Sequence, residues 1–221
     1  MIGKQIQEGI FRDTTNFYKT STDSVAMSLI KFTQEYAGKT ILDFGCATGN
    51  YCVHLSRLGY TVKGVDVNAE YIKIAREKGV EAQLIKGKVP FMDKSFDTVI
   101  VFEVLEHLAK PEKVIAEAKR LAQKNVLFTV PNCGDVKTLR NHGLIFEHFS
   151  DLDHKNFFTK ESLQNLLKIF FSDVQVWRGD EIDPVALIDN VSLRFMGKVL
   201  KKLGLIRPRF FFRLFAVATS K

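Results

Sequence analysis

The chain has 221 residues, of which 46% are hydrophobic and 26% are charged. This length suits one domain with a sizeable core, and this composition excludes an intrinsically disordered chain. Three cysteines are too few for a disulfide framework and odd in number, so we expect a reducing, cytoplasmic environment. Residues 1–18 mix polar and charged types, so no secretory signal is expected there. No apolar run approaches the roughly 20 residues that span a bilayer.

The net charge of +7 is concentrated near the C-terminus. Residues 190–221 contain eight basic residues and no acidic one, whereas the rest of the chain carries 24 basic and 25 acidic residues. A basic surface of this kind indicates contact with an anionic membrane or an acidic acceptor. No nucleic-acid-binding module accompanies it, so a nucleic-acid partner is not expected.

One helix is predicted before the first strand, within an N-terminal cap region at residues 1–36. Asp23 or Ser24 can accept hydrogen bonds as its N-cap. The apolar positions that follow are Val25, Met27, Leu29, Ile30 and Phe32. Their spacing predicts one buried face on this helix.

Strands and helices alternate through the central part of the chain. Strands are predicted over 39–43, 61–66, 80–85, 96–102 and 125–130, and helices over 50–58, 68–78 and 111–123. Asn68 is the expected N-cap of the second of these helices and Gly79 its stop, and Pro111 opens the third. Such alternation predicts a parallel sheet with right-handed crossovers.

The alternation breaks after Val130 with a long irregular segment, 133–153, which is typical of a lid or a binding loop. Thr159 then caps a further helix that runs to about Phe170, and a strand is predicted over 174–177. An insertion at 179–209 contains an amphipathic basic helix from about 185 to 203, and 210–219 forms the last strand. We therefore predict a single domain 1–221, with a core at 37–178 and the last strand within 210–221.

The first strand leads into a turn of small residues, Asp43-Phe44-Gly45-Cys46-Ala47-Thr48-Gly49. Ligands of doubly wound sheets bind beyond the carboxyl ends of the strands, and glycines let the backbone turn sharply and approach a ligand. The dinucleotide fingerprint G-x-G-x-x-G would place its glycines at Gly45, Ala47 and Asn50. Two of these three positions fail, which disfavours an NAD-dependent enzyme.

The turn instead resembles the D-x-G-x-x-x-G signature of class I S-adenosylmethionine (SAM)-dependent methyltransferases. Asp66 ends the second predicted strand, and the stretch 95–108 resembles the fourth-strand region of that family. The segments 103–107, 130–132 and 153–159 resemble the branch containing the ubiquinone-biosynthesis O-methyltransferases. The resemblance implies an α/β, Rossmann-like, doubly wound fold. Its seven-stranded sheet is mostly parallel, with helices on both faces and an antiparallel last strand.

The resemblance also implies SAM as the cofactor and Asp66 as the acceptor of hydrogen bonds from the ribose hydroxyls. The implied cofactor-binding residues are Asp43, Gly45, Cys46, Ala47, Gly49, Asp66, Val67, Phe102 and Glu103. The acidic residue that the family usually has after the third strand is missing, because residues 84–89 read Leu-Ile-Lys-Gly-Lys-Val. The adenine would then contact backbone and apolar groups. Tyr18 either contacts the cofactor from the N-terminal segment or packs under a loop.

Methyl transfer from SAM needs positioning more than acid–base chemistry, and a base helps only if the acceptor must lose a proton. His107 is the candidate general base, and on a helical turn it shares one face with Glu103. The alternative is a capping or surface histidine. Glu103 is expected to line the cofactor pocket.

A metal site is not expected from the sequence. His142, His148 and His154 fit no compact ligand spacing. Glu103, Glu106 and His107 with a distant histidine resemble the metal site of small-RNA-methylating relatives, but only incompletely.

The predicted function is methyl transfer from SAM to an oxygen atom of a small-molecule or lipid-like acceptor. The alternative from a different class is a SAM-binding protein without catalytic activity. For the insertion helix two interpretations stay open. It either packs over the acceptor pocket with its basic face in solvent, or lies on an anionic membrane, giving a cytoplasmic protein peripheral to that membrane.

Overall fold

The computed structural model describes residues 25–134, 153–181, 185, 190–205 and 210–220. Tyr18, Asp23, Ser24, His142 and His148 lie outside these ranges. The helices are α1 (Met27–Tyr36), α2 (Asn50–Arg57), α3 (Ala69–Glu77), α4 (Pro111–Leu121), α5 (Lys160–Lys168) and α6 (Val191–Lys202), with a 3₁₀ turn at Leu105–His107. The strands are β1 (Thr40–Phe44), β2 (Thr61–Asp66), β3 (Glu81–Leu84), β4 (Phe96–Phe102), β5 (Ala122–Pro131), β6 (Asp173–Glu181) and β7 (Phe211–Thr219).

The seven strands form one sheet in the order β3-β2-β1-β4-β5-β7-β6. The pairs from β3 to β5 are parallel, and β7 runs antiparallel to both of its neighbours. The order reverses between β1 and β4, so the crevice between their carboxyl ends is the place where a doubly wound sheet binds its ligand. The predicted fold class is confirmed.

Helices cover both faces of the sheet. One buried cluster joins the sheet to α4 and α5 through residues such as Ile115 and Leu163. The other joins it to α1, α2 and α3 through residues such as Leu29, Leu55 and Ile72. Since β1 and β4 are covered on both faces, their side chains are almost all buried, which explains why these strands read as continuous apolar runs.

Two helix starts agree with the caps expected from the sequence. The side chain of Asn68 accepts hydrogen bonds from the backbone N–H groups of Glu70 and Tyr71, at 2.9 and 3.2 Å. Thr159 and Ser162 form a reciprocal capping box at the start of α5. These caps fix where the chain leaves the carboxyl-end edge of the sheet.

Three boundaries differ from the prediction. Helix α1 begins at Met27 with Ala26 at the N-cap position, where no side chain caps it; the main-chain N–H of Ala26 donates to the hydroxyl of Tyr51 at 3.1 Å. Strand β5 begins at Ala122, directly after α4, because its first residues already pair with β4. Helix α6 begins only at Val191, since the side chain of Asn190 accepts from the next turn and caps it there.

Gly197 is the one buried residue of helix α6. A Cβ on Gly197 would lie 2.8 Å from a methyl carbon of Val185, so the two are in close contact. The apolar residues of this helix are otherwise largely exposed, with Val191 at 77% and Phe195 at 70%. None of the helices in the described part of the chain has both the length and the apolar character that a membrane span requires.

Candidate functional site

The turn after β1 is held by the neighbouring strand. The main-chain N–H groups of Gly45 and Cys46 both donate to the carbonyl oxygen of Val65, at 2.8 and 3.0 Å. Gly45 has φ of +89°, and a Cβ there would lie 2.5 Å from Cγ2 of Val104. Only glycine fits this conformation at this contact, so the turn is pressed against the loop that follows β4.

Gly49 has a different role from Gly45. It precedes α2 with φ of +77°, and a Cβ would lie 2.9 Å from Cγ2 of Val80. Among the described residues it does not line the cavity described below, although it was expected to contact the cofactor. Gly49 therefore acts on the site through the packing of α2 against the chain around β3.

Asp43 is a buried acid at the end of β1, with 3% of its surface exposed. The thiol of Cys52 donates to its Oδ2 at 3.3 Å. Burial raises the pKa of Asp43 to about 7, against the opposing effect of that thiol, and the nearby Asp66 raises it further. A cationic ligand group beside Asp43 would favour its ionised form.

Asp66 organises the turn as well as facing the cavity. Its Oδ2 accepts from the main-chain N–H of Ala47 at 2.9 Å, and its Oδ1 accepts from that of Asn68 at 2.8 Å. Ala47 has φ of +45°, an unfavourable value for a residue with a Cβ, and its bond to Asp66 helps to hold it there. The sequence indicated a ligand-binding acid but not this structural role.

Glu103 follows β4 and is held by a residue from the other end of the chain. Arg213, on β7, donates from Nε to Oε1 of Glu103 at 3.0 Å and also pairs with Asp180. Both Glu103 and Asp180 have φ of +53°. A single cation thus draws together two acids with strained backbones, an arrangement typical of functional sites.

His107 does not share a helical face with Glu103, and that expectation was wrong. The backbone at Glu103 is left-handed, so no helix runs from there to His107, which lies instead in the 3₁₀ turn Leu105–His107. Its ring meets that of His154, with centroids 4.8 Å apart. Glu103 and His107 therefore reach the cavity described below from different local structures.

These residues surround a cavity of about 790 Å³ at the carboxyl ends of β1, β2 and β4. All predicted site residues except Gly49 line it, namely Asp43, Gly45, Cys46, Ala47, Asp66, Val67, Phe102, Glu103 and His107. Lining residues that sequence reasoning missed include Tyr51, Tyr71, Asp153, Lys155 and Arg213. Arg213 had a visible signal, because it is the one charged residue in the apolar run 210–218. No described residue of α6 lines the cavity, so its exposed stripe does not cover it.

Part of the cavity lining near β3 is apolar. Ile85 is buried and lines it together with Tyr71 and Val67, while Lys86 and Lys88 are exposed. The main chain of Ile85 donates to the carbonyl oxygen of Asp66 at 2.9 Å. The lysines that replace the expected acid therefore stand outside the lining.

Comparison with known proteins bears on what the cavity is for. A family model described as "Methyltransferase domain" matches residues 42–130. This range begins within β1 and ends within β5, and it contains most of the residues that line the cavity. The matched residues thus resemble SAM-dependent methyltransferase domains. SAM is the cofactor of this class of domain.

Among curated relatives, norajmaline N-methyltransferase of Rauvolfia serpentina is 28% identical over 55% of this chain and 48% of its own length. A ubiquinone biosynthesis O-methyltransferase of Xanthomonas oryzae pv. oryzae is 30% identical over 44% of each chain. The chain thus spans less than half the length of either relative.

Solved structures extend the likeness to the whole fold. A SAM-dependent methyltransferase from Archaeoglobus fulgidus superposes with a TM-score of 0.64 at 19% identity, covering 88% of this chain and 92% of its own. A possible histamine N-methyltransferase from Thermotoga maritima gives 0.65 at 19% identity, covering 96% and 99%. The methyltransferase fold therefore includes β6 and β7.

Proposed function

We propose that the protein transfers a methyl group from SAM to an oxygen atom of an apolar small-molecule or lipid-like acceptor. The observation that carries this proposal is the convergence of Asp43, Asp66 and Glu103 on one cavity, with His107 beyond them. Three acids at the carboxyl ends of three adjacent strands suit a ligand with a positive charge and several hydroxyl groups.

The residues present fit the cofactor. Gly45 lines the cavity, so a ligand can approach the backbone of the turn there. Asp43 and Glu103 would face the amino group and the positively charged sulfur, and Asp66 would accept from the ribose hydroxyls. The adenine would lie against Ile85 and Tyr71. When bound, SAM supplies a methyl group activated by a positive sulfur.

The acceptor would occupy the end of the cavity where His107 lies. Leu108 and Val114 line the cavity together with His107, so an apolar ring or chain can be buried there. His107 would take the proton of an acceptor hydroxyl as the new bond to oxygen forms, because an imidazole accepts protons near neutral pH. The likeness to a ubiquinone biosynthesis O-methyltransferase supports an oxygen target.

The proposal also includes contact between helix α6 and an anionic membrane surface. Helix α6 carries exposed apolar residues beside Lys198 and Lys202, which are exposed as well. A basic amphipathic helix with this exposure is suited to an interface of apolar chains and anionic headgroups. A lipid-like acceptor would be found at the same surface. The cytoplasmic location expected from the cysteines stays a prediction.

Calorimetry with SAM, its demethylated product and NAD tests the cofactor. We expect both sulfur compounds to bind and NAD not to bind; binding of NAD alone would overturn the proposal. Incubation with methyl-labelled SAM and separate lipid and aqueous metabolite extracts then tests the acceptor. We expect label in the lipid extract, in a product whose new methyl group is on oxygen.

His107→Gln should abolish most of this transfer, by about 10²–10⁴-fold, while leaving SAM affinity unchanged. His54→Gln is the matched control, because His54 lies on α2 outside the cavity lining. Equal turnover in the two variants would remove His107 from the reaction.

A further inference from the structure

One residue of the cavity lining comes from the C-terminal strand, outside the range 42–130 that matches the methyltransferase model. Arg213 lies on β7, and only 12% of its side chain is exposed. Its Nε donates to Oε1 of Glu103 at 3.0 Å, and its Nη1 pairs with Asp180. Glu103, Asp180 and Arg213 thus form an ion-pair network that joins β6 and β7 to the residue after β4.

The two acids of this network differ in their relation to the cavity. Glu103 lines it, whereas Asp180 is not among the lining residues within the described part of the chain. Two carboxylates and one guanidinium leave the network with one net negative charge, and Glu103 is the acid that faces the cavity. A ligand cation beside Glu103 would balance that charge through a charge-assisted hydrogen bond.

The carboxylate of Glu103 is held from two directions. The backbone of Glu103 is left-handed, and its main-chain N–H donates to the carbonyl oxygen of Thr129 at 3.0 Å. The side chain is held by Arg213, whose planar guanidinium presents its donors in a fixed fork. The first contact fixes where the side chain begins and the second fixes where its carboxylate lies.

We propose that Arg213 is a positioning residue, which holds the carboxylate of Glu103 toward the amino group of bound SAM. This inference rests on the proposed function, in which Glu103 faces that amino group, and it leaves His107 as the general base. The charged amino group would supply the positive charge that the network lacks. The protein would then discriminate ligands by their amino group through a residue of β7 that acts by way of Glu103.

The test compares the binding of three ligands by calorimetry, without an acceptor. They are S-adenosylhomocysteine, which is the demethylated product of SAM, its deaminated analogue, which keeps the carboxylate, and methylthioadenosine, which lacks the whole amino-acid part. Arg213→Gln alone would make the network more negative, so it is combined with Asp180→Asn, which restores one net negative charge.

The double variant should bind S-adenosylhomocysteine about ten- to a hundredfold more weakly than the unaltered protein, the effect of one charge-assisted hydrogen bond. Binding of the other two ligands should change far less, because neither carries an ammonium group for Glu103. Arg213→Lys keeps the positive charge but not the planar fork, so it should show a smaller loss, again confined to S-adenosylhomocysteine. This second variant carries the test if the double variant does not fold.

Arg178→Gln is the matched control, because Arg178 is exposed on β6 outside the cavity lining. Its affinity for all three ligands should equal that of the unaltered protein. Circular dichroism checks that each variant is folded.

Three results would overturn the inference. Unchanged affinity for S-adenosylhomocysteine in the folded variants would show that Arg213 is not needed. An equal loss for S-adenosylhomocysteine and its deaminated analogue would show that Arg213 acts on another group of the ligand, and an equal loss for all three ligands would show a merely structural role. In each case S-adenosylhomocysteine still binds the unaltered protein, whereas failure of the proposed function would abolish that binding.

Discussion

The turn after β1 is tightly packed around its glycine, whereas helix α6 leaves most of its apolar side chains exposed. In the turn, Gly45 is packed so closely that a methyl group would meet Val104, and the neighbouring N–H groups are bonded to Val65. In α6, only Gly197 is buried, and large apolar residues such as Phe195 face outward. Close packing holds the turn in one conformation, whereas α6 exposes an apolar surface. Substitutions should therefore affect stability and cofactor binding in the turn, and association in α6.

The largest effect is expected from Gly45→Ala. The substitution combines a left-handed backbone with a contact of 2.5 Å, so we expect a loss of about 2–4 kcal/mol in the free energy of unfolding. Gly79→Ala is the matched control, because Gly79 has φ of +82° and no atom within 4 Å of the added carbon. It should lose only about 1–2 kcal/mol, the cost of the backbone conformation alone. Urea unfolding measures both, and equal losses would mean that the contact with Val104 is unimportant.

The second effect concerns Asp43 and pH. Its pKa in the folded protein is about 7, above its ordinary value of 3.8, so unfolding releases a proton between these values. The stabilisation that protonated Asp43 contributes to the free energy of unfolding is therefore lost as pH rises from about 4 toward 7, by up to about 1.4 kcal/mol per pH unit. Asp43→Asn should unfold at higher urea concentration than the unaltered protein at pH 8 and bind SAM more weakly.

At pH 4 the Asp43→Asn variant and the unaltered protein should have similar stability, which serves as the internal control. SAM affinity of the unaltered protein should rise through pH 7, because a cation favours the ionised carboxylate. A stability difference that is the same at both pH values would contradict the raised pKa.

The third effect concerns Asp66, whose oxygens hold Ala47 and Asn68. Asp66→Asn should weaken SAM binding by about ten- to a hundredfold, as expected for loss of charge-assisted hydrogen bonds worth roughly 1.5–3 kcal/mol. It should also lower stability, because an amide group cannot accept from both N–H groups. Asn68→Ser is a useful comparison, since it keeps a capping oxygen and should alter SAM affinity little. Unchanged affinity in folded Asp66→Asn would refute ribose binding.

The smallest effect is expected at α6. Replacing Lys198 and Lys202 by Gln should weaken the binding free energy for anionic vesicles by about 1 kcal/mol per residue at low salt, as measured by cosedimentation. SAM affinity should not change. Lys201 is left intact because it pairs with Glu181 at 2.6 Å. The matched control replaces Lys73 and Lys113, which are also exposed, on α3 and α4. An equal loss of vesicle affinity in the two double variants would indicate that binding depends on net charge rather than on a membrane-facing helix.

Phe195→Ser tests the apolar part of the same surface. It should reduce vesicle binding while leaving the free energy of unfolding nearly unchanged, since the ring is exposed in the folded protein. Ile169→Ser, at an equally exposed apolar position after α5, should leave vesicle binding unchanged. An unaltered protein that ignores anionic vesicles at low salt would remove the membrane contact from the proposal.

The sequence by itself determined the features that depend on neighbouring residues. Apolar runs located the strands, Asn68 and Thr159 marked helix starts, and the spacing of Asp43, Gly45 and Gly49 indicated the ligand-binding turn. Such signals are local because hydrogen-bonding caps and backbone conformation involve residues only a few positions apart.

Only the tertiary structure decided which side chains meet across the chain. Arg213 holds Glu103 across 110 positions because β7 inserts beside β5, an arrangement that no local pattern encodes. His154 meets His107 because Asn156 is bonded to the turn after β4. The outward direction of Phe195 likewise depends on how α6 packs. Contacts of this kind follow from sheet order and packing of the whole domain, so the chemistry of the cavity emerged only with the fold.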